Sequence, residues 1–113
     1  MQSQKLSKKA LKVILNPAAR ICVCEPSLWE IAIKHRMSKL SLPLGLSGLY
    51  DEIQRSGYDI ININRHHVEM FAALPILHTD PFDTMLIAIA KTENITIITK
   101  DDQIQKYDVR RVW

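Results

Sequence analysis

The order of apolar and polar residues predicts helices and short buried strands that alternate along the chain. Apolar runs predict strands at 21–24, 58–63 and 95–99, and a last strand toward Trp113. Apolar residues three and four apart, with caps, Pro or Gly at the breaks, predict helices near 7–15, 27–37, 47–55, 64–74, 80–92 and 102–106. Alternating elements of this kind predict a three-layer α/β sandwich with a mostly parallel sheet.

Length and composition indicate one soluble domain spanning residues 1–113, with 47% hydrophobic and 24% charged residues. A formal charge of +3 permits a polyanionic partner without requiring one. The apolar stretches are shorter than the roughly 20 residues of a membrane span, and the N-terminus lacks an apolar signal-peptide core. We therefore expect a cytoplasmic protein. Cys22 and Cys24 lie two apart in a predicted strand and are expected to be reduced and structural.

Three acidic residues lie near the ends of the predicted strands, where ligands gather in parallel sheets. Glu30 follows the first strand by one helical turn, Asp83 lies in the first turn of the helix at 80–92, and Asp101 follows the strand at 95–99. Hard cations such as Mg²⁺ and Mn²⁺ prefer oxygen ligands, and a metal-activated water can attack a phosphate in line. If the fold brings these acids together, they can support metal-dependent phosphodiester hydrolysis.

Glu30 and Asp101 also have structural explanations. Ser27 and Glu30 form the S-x-x-E pattern of a capping box, and Glu30 precedes Lys34 by four residues, the spacing of a helical ion pair. Asp101 can cap the short helix that follows it. Taken singly, such roles are commoner than metal binding.

The segment HTDPFDTMLIAIA, from His78 to Ala90, places two aspartates directly before an apolar run. Asp80 before Pro81 is a natural N-cap with proline at the first helical position. Asp83 can simply interact with the helix dipole, although its apolar successors place it at the lip of a buried region. The structural explanation is sufficient for Asp80 and weaker for Asp83.

Three stretches in the same order resemble the PIN-domain ribonucleases, most closely the VapC-type toxins of bacterial toxin–antitoxin pairs. They are SLWEIAIKHRMSKLSLP (27–43), HHVEMFAALPILHTDPFDTMLIAIA (66–90) and TIITKDDQIQKYDVRRVW (96–113). The resemblance covers nearly the whole chain. It implies a small α/β/α fold with a Mg²⁺- or Mn²⁺-dependent acidic site that cleaves RNA. It also implies a cognate antitoxin whose tail covers that site, and a homodimer.

Matched by motif, the resemblance implies catalytic and metal-binding roles for three residues of this chain. Glu30 matches the helix glutamate of the family, Asp83 its central aspartate and Asp101 its late aspartate. Asp80 matches a recurrent aspartate that supports the site as an N-cap or through an outer contact. His78 is similarly recurrent, but a lone loop histidine is more often structural than catalytic.

The start of the chain departs from the family pattern. The family opens with an apolar strand that ends in a catalytic aspartate, whereas this sequence begins with MQSQKLSKKA. We therefore expect a PIN-like fold that lacks the first strand, in a chain shortened at its N-terminus. Loss of that aspartate is expected to weaken metal binding, and loss of the strand leaves its two neighbours with unpaired backbone groups.

The departure leaves two functions open. The chain is either a metal-dependent endoribonuclease toxin or a catalytically impaired PIN-domain remnant that acts only as an antitoxin-binding or dimerisation module. A phosphorylated receiver-like domain is a third idea, but the acidic pair that it needs on early strands is not found.

Basic residues form two groups, which are Lys5, Lys8, Lys9 and Lys12 on the first predicted helix, and Lys34, His35, Arg36 and Lys39 near the end of the second. A solvated helix face is the commoner explanation for a lysine stripe. Phosphate contacts position RNA without reading its sequence, so neither group identifies the RNA that is cut.

Overall fold

The structure is a computed structural model that describes residues 12, 15, 16, 21–77, 80–98, 107, 109 and 111–112. Its elements are β1 (Cys22–Cys24), α1 (Glu25–Arg36), α2 (Gly45–Arg55), β2 (Asp59–Ile61), α3 (Arg65–Ala73), α4 (Pro81–Glu93), β3 (Ile97–Ile98) and β4 (Arg111–Val112). The chain divides into two compact units, here called the α1 unit (Arg20–Asn64) and the α4 unit (Met1–Ala19 with Arg65–Trp113).

The α1 unit is built on one parallel strand pair. β1 pairs with β2 so that Val23 lies opposite Ile60, and the Asp59 N–H donates to the Ile21 carbonyl at 2.9 Å. α1 begins directly after β1 and buries Leu28. Pro26 is tolerated in its first turn because the first N–H groups of a helix have no acceptor within the helix.

A well-defined turn ends α1. The Lys39 N–H donates to the Lys34 carbonyl at 2.8 Å and the Ser38 N–H to the His35 carbonyl at 3.0 Å. Ser38 has a φ of 58°, in the left-handed region, which completes a Schellman motif. The His35 imidazole adds a bond from Nδ1 to the Leu40 carbonyl at 3.0 Å, and Nδ1 is the donor because a carbonyl can only accept. Backbone and side-chain bonds together fix this turn.

The α4 unit has a core centred on α4. Ile87, Ala88 and Ile89 are fully buried, as expected for a helix that is apolar on nearly every face. A core cluster joins α4 to β3 and to the chain before β4, and its members are Ile87, Ala90, Ile97 and Tyr107, with Leu74, Leu86, Ile95 and Val109 packed against them. α4 ends at Asn94, whose φ of 57° is left-handed.

Parallel pairing recurs in this second unit. Ile97 lies opposite Arg111 and Ile98 opposite Val112 in the pair of β3 and β4. Tyr107 is buried, and its hydroxyl accepts a hydrogen bond from the Leu77 N–H at 3.2 Å. The aromatic ring therefore fills the core while its polar end has a partner.

The α/β class predicted from the sequence is confirmed, and both described strand pairs are parallel as predicted. The predicted strand at 95–99 is described as a strand only at Ile97–Ile98. Lys12 and Leu15 are helical, while the rest of the predicted helix at 7–15 and the whole predicted helix at 102–106 lie outside the described residues. The single-domain assignment stays a prediction.

Two expectations from the sequence concern the cysteines, expected to be reduced, and the apolar stretches, expected to be too short to span a membrane. Cys22 and Cys24 form no disulfide within the described residues, and the first is half-buried and the second buried. Within the part of the chain that the structure describes, no helix is long and apolar enough to cross a membrane.

Candidate acidic site

Asp80 caps α4 and fixes the segment that carries Asp83. Its side-chain oxygen Oδ1 accepts from the Phe82 N–H at 2.9 Å and from the Asp83 N–H at 3.3 Å, and Pro81 occupies the first helical position. These bonds satisfy N–H groups that have no acceptor within the helix. The predicted N-cap role of Asp80 is therefore confirmed.

Thr84 stabilises the same turn by two hydrogen bonds to the Asp80 carbonyl. Its side chain is nearly fully buried, its hydroxyl donates to the Asp80 carbonyl at 2.9 Å, and its N–H donates to the same carbonyl at 3.0 Å. The turn that carries Asp83 is thus fixed on both sides. Asp83 itself is half-buried at the positive end of the helix dipole, where a negative charge is favoured.

The capping-box explanation of Glu30 is wrong. α1 begins at Glu25, its N-cap is Cys24, and no side chain makes a capping hydrogen bond there. Ser27 is therefore the third residue of the helix rather than its cap. The helix starts earlier than predicted because Glu25 and Pro26 fit the first helical turn, where proline costs no hydrogen bond.

The ion-pair explanation of Glu30 also fails within the described residues. The structure shows no salt bridge between Glu30 and Lys34, although exposed pairs of similar spacing form elsewhere, such as Arg65 with Glu69 at 3.4 Å. Glu30 is half-buried and is the sixth of the 12 residues of α1. Neither structural role proposed from the sequence accounts for this glutamate.

Glu25 was not singled out from the sequence, yet it makes a long-range contact at the carboxyl end of the strand pair. Its Oε1 accepts from the Ile63 N–H at 3.3 Å, which joins the start of α1 to the chain just beyond β2. The two residues are 38 positions apart, so local patterns contain no signal for this bond. Its effect is to fix the end of the strand pair from which α1 departs.

The predicted site residues lie in different parts of the chain. Glu30 belongs to the α1 unit and Asp83 to the α4 unit, and the structure describes each in its own unit. Asp101 and His78 lie outside the described residues. Among the residues that are described, no group of three or more His, Cys, Asp or Glu side chains could hold a metal ion. The joint arrangement of the three acids therefore stays a prediction.

The donor chemistry of the predicted set nevertheless fits a hard divalent cation. Glu30, Asp83 and Asp101 offer only carboxylate oxygens, the ligands that Mg²⁺ and Mn²⁺ prefer. The structure also shows that Asp80, and not Asp83, makes the capping hydrogen bonds of α4. That the three residues hold such an ion together stays a prediction.

Comparison with known proteins identifies a family. The sequence model described as "PIN domain" matches residues 2–110, which is nearly the whole chain and includes all three acids. PIN domains are generally nucleases, and PIN-domain nucleases typically use divalent metals. A search of curated proteins and a search of solved structures returned no significant match.

Proposed function

The chain belongs to the PIN domain family, and from this premise we propose that it is a Mg²⁺- or Mn²⁺-dependent endoribonuclease and the toxin of a toxin–antitoxin pair. The substrate is RNA, and the reaction is hydrolysis of its phosphodiester bonds. The observation that carries the proposal is the family match across residues 2–110. Glu30, Asp83 and Asp101 are the proposed catalytic and metal-binding residues, and all lie within the matched range.

The local structure around Glu30 and Asp83 supports their assignment. Asp83 sits in a helical turn that the Asp80 cap and buried Thr84 fix in place, so its carboxylate is attached to a rigid base. Glu30 projects from the first part of α1, and neither proposed structural role explains it. A bound divalent cation supplies positive charge that stabilises the phosphoryl oxygens and activates water. The residues of this chain bind that cation and set its position.

The toxin assignment rests on the segments that resemble VapC-type proteins, above all SLWEIA and DPFDTMLIA. On this proposal a cognate antitoxin binds the chain and covers the acidic site, and the chain forms a homodimer. Induced expression of the chain in bacteria is then expected to stop growth, and the Asp83→Asn variant is expected not to. If the wild-type chain and Asp83→Asn stop growth equally, toxicity does not depend on the Asp83 carboxylate.

Cleavage of total RNA by the purified chain tests the nuclease directly. The wild-type protein is assayed with Mn²⁺ and with chelator, next to Asp83→Asn, Glu30→Gln and the control Asp51→Asn, an exposed acid of α2. We expect cleavage only with metal, retained in Asp51→Asn and reduced by at least about 100-fold in the other two variants, because removing one group that stabilises transition-state charge costs about 10²–10³ in rate.

The result also decides between the two functions raised by the sequence. Folded, soluble protein without metal-dependent cleavage would support a remnant that acts only as an antitoxin-binding or dimerisation module. Cleavage that survives both Asp83→Asn and Glu30→Gln would show that other residues carry the reaction. A contaminating nuclease is recognised because its activity does not follow the chain through a sizing column.

A further inference from the structure

One side of α1 is exposed and combines an aromatic ring with a cation. Trp29 is 59% exposed, and Ile33 and Arg36 follow it by four and seven residues, which places all three on the same side of the helix. Leu28, in contrast, is 3% exposed and packs inward. Glu30 comes next to Trp29 in the helix and borders this exposed side. More than half of Trp29 therefore lies outside the core.

Three cations at the end of α1 form no ion pair with any described residue. They are Lys34, Arg36 and Lys39, and all three are exposed. Exposed arginines elsewhere do find acids, since Arg55 pairs with Glu52 and Arg65 with Glu69. The positive charge at this end of α1 is therefore available to an anionic partner.

The backbone that carries these cations is fixed. The Schellman turn and the His35 to Leu40 hydrogen bond order the segment that runs from Lys34 to Lys39. A partner that binds there does not have to order the main chain first, which lowers the entropic cost of binding. The three ammonium and guanidinium groups thus extend from a preorganised turn.

The helix dipole alone explains part of this pattern. Cations in the last turn of a helix are stabilised by its negative end, which accounts for Lys34 and Arg36. It accounts neither for an exposed tryptophan on the same helix nor for Lys39 beyond the helix end. An aromatic ring next to several cations is the combination with which proteins bind single-stranded nucleic acid, because the ring stacks on a base while the cations contact phosphates.

We propose that Trp29, Arg36 and Lys39 form a binding surface for single-stranded RNA, called here the α1 surface. The Trp29 indole stacks on an unpaired base, and Arg36 and Lys39 contact the phosphates on its flank. Duplex RNA is excluded from the stacking contact because its bases are already stacked. The inference rests on the proposed function, and it places the bound strand beside Glu30.

Binding of a fluorescently labelled single-stranded RNA oligonucleotide, followed by anisotropy in chelator, tests the α1 surface without any cleavage. Trp29→Ala is expected to weaken binding roughly 5- to 100-fold, the range for losing one base–aromatic stack, and Trp29→Phe to restore part of it. The matched control is Tyr50→Ala, an aromatic residue of α2 that is 39% exposed, and it should bind like wild type. Circular dichroism confirms that each variant is folded.

The cations are tested in the same assay. The double variant Arg36→Gln with Lys39→Gln is expected to weaken binding and to flatten the dependence of affinity on salt, by roughly one unit of log–log slope for each phosphate that the protein no longer neutralises. The control Arg55→Gln removes a cation that Glu52 already neutralises, and it should change neither quantity. A duplex RNA of the same sequence should bind at least tenfold more weakly than the single strand.

The outcomes separate this inference from the proposed nuclease. Wild-type affinity in Trp29→Ala, or equal binding of single strand and duplex, overturns the α1 surface even if metal-dependent cleavage is found. Cleavage that is absent while Trp29-dependent binding persists overturns the nuclease and keeps the surface. A Trp29→Ala variant that binds RNA normally but changes its sedimentation coefficient shows that the ring contacts another protein chain, and it also overturns the inference.

Discussion

His67 and Glu93 join α3 to α4 through a bond from His67 Nε2 to Glu93 Oε2 at 2.8 Å. The imidazole is fully buried, whereas the glutamate side chain is 38% exposed. A buried polar ring is costly without a partner, so this contact satisfies His67 while Glu93 stays in reach of water. It therefore fixes α3 against the helix that carries Asp83.

Removal of the His67 ring is expected to destabilise the protein. His67→Ala leaves a cavity and takes away the partner of Glu93, and we expect the free energy of unfolding to fall by about 2–4 kcal/mol. Urea denaturation measures the change. His66→Ala is the matched control, because His66 is exposed on the same helix and should shift stability by less than about 0.5 kcal/mol. Similar losses of unfolding free energy in both variants would show that the buried contact of His67 with Glu93 contributes no more than an exposed histidine does.

Variants of Asp80 and Asp83 are expected to differ in their effects, since the first should lower stability and the second should lower RNA cleavage. Asp80→Ala removes the cap and should lower the free energy of unfolding by about 1 kcal/mol, within a range of about 0.5–2 kcal/mol. Asp83→Asn keeps the shape of the side chain and should change stability by less than about 0.5 kcal/mol while abolishing cleavage. Thermal unfolding measures the stability of each variant, and the RNA assay measures its cleavage. A large stability loss in Asp83→Asn would assign that carboxylate a structural role.

The Tyr107 hydroxyl is expected to contribute measurably to the α4 unit. Tyr107→Phe keeps the buried ring but leaves the Leu77 N–H without this acceptor. We expect a loss of about 0.5–1.5 kcal/mol in the free energy of unfolding, the usual contribution of one such bond. Faster hydrogen exchange at the Leu77 amide would locate the effect. Unchanged exchange there would mean that the amide is protected by other means.

Ser38 is a position where a substitution should stabilise. Its φ of 58° is unfavourable for a residue with a Cβ atom and is readily adopted by glycine. Ser38→Gly is expected to raise the free energy of unfolding by up to about 1 kcal/mol, less the greater entropy that glycine gives the unfolded chain. Denaturant titration measures the balance. A clear destabilisation would mean that the serine side chain contributes contacts that outweigh the strain.

Local signals explain which parts of the structure the sequence predicted. Asp80 followed by Pro81 is a complete start signal within two residues, and the helix begins there as predicted. The S-x-x-E pattern of Ser27 and Glu30 was an equally local signal and failed, because the chain can enter a helix earlier when Glu25 and Pro26 occupy the first turn. Short motifs locate helices well and locate their first residues less well.

Long-range contacts account for what the sequence did not show. His67 to Glu93 and Glu25 to Ile63 each join residues far apart in the chain, and neither pair has a spacing that a periodic pattern detects. The left-handed Ser38 was also missed, because glycine or asparagine, and not serine, is the usual signal for a left-handed residue after a helix. The predicted site was found through residue type and motif order, which give its members but not their distances.

The parallel pair of β1 and β2 has a consequence for the order of folding. α1 and α2 both lie between the two strands, so pairing must close a long loop, as the 38-residue separation of Glu25 and Ile63 illustrates. Closing a loop of that length costs about 3 kcal/mol of chain entropy before any strand contact forms. The contacts within a helix are local, so we expect the helices to form first. Pulse-labelling hydrogen exchange should therefore find the Asp59 amide protected later than the amides of α1, and the reverse order would show that the strands nucleate this unit.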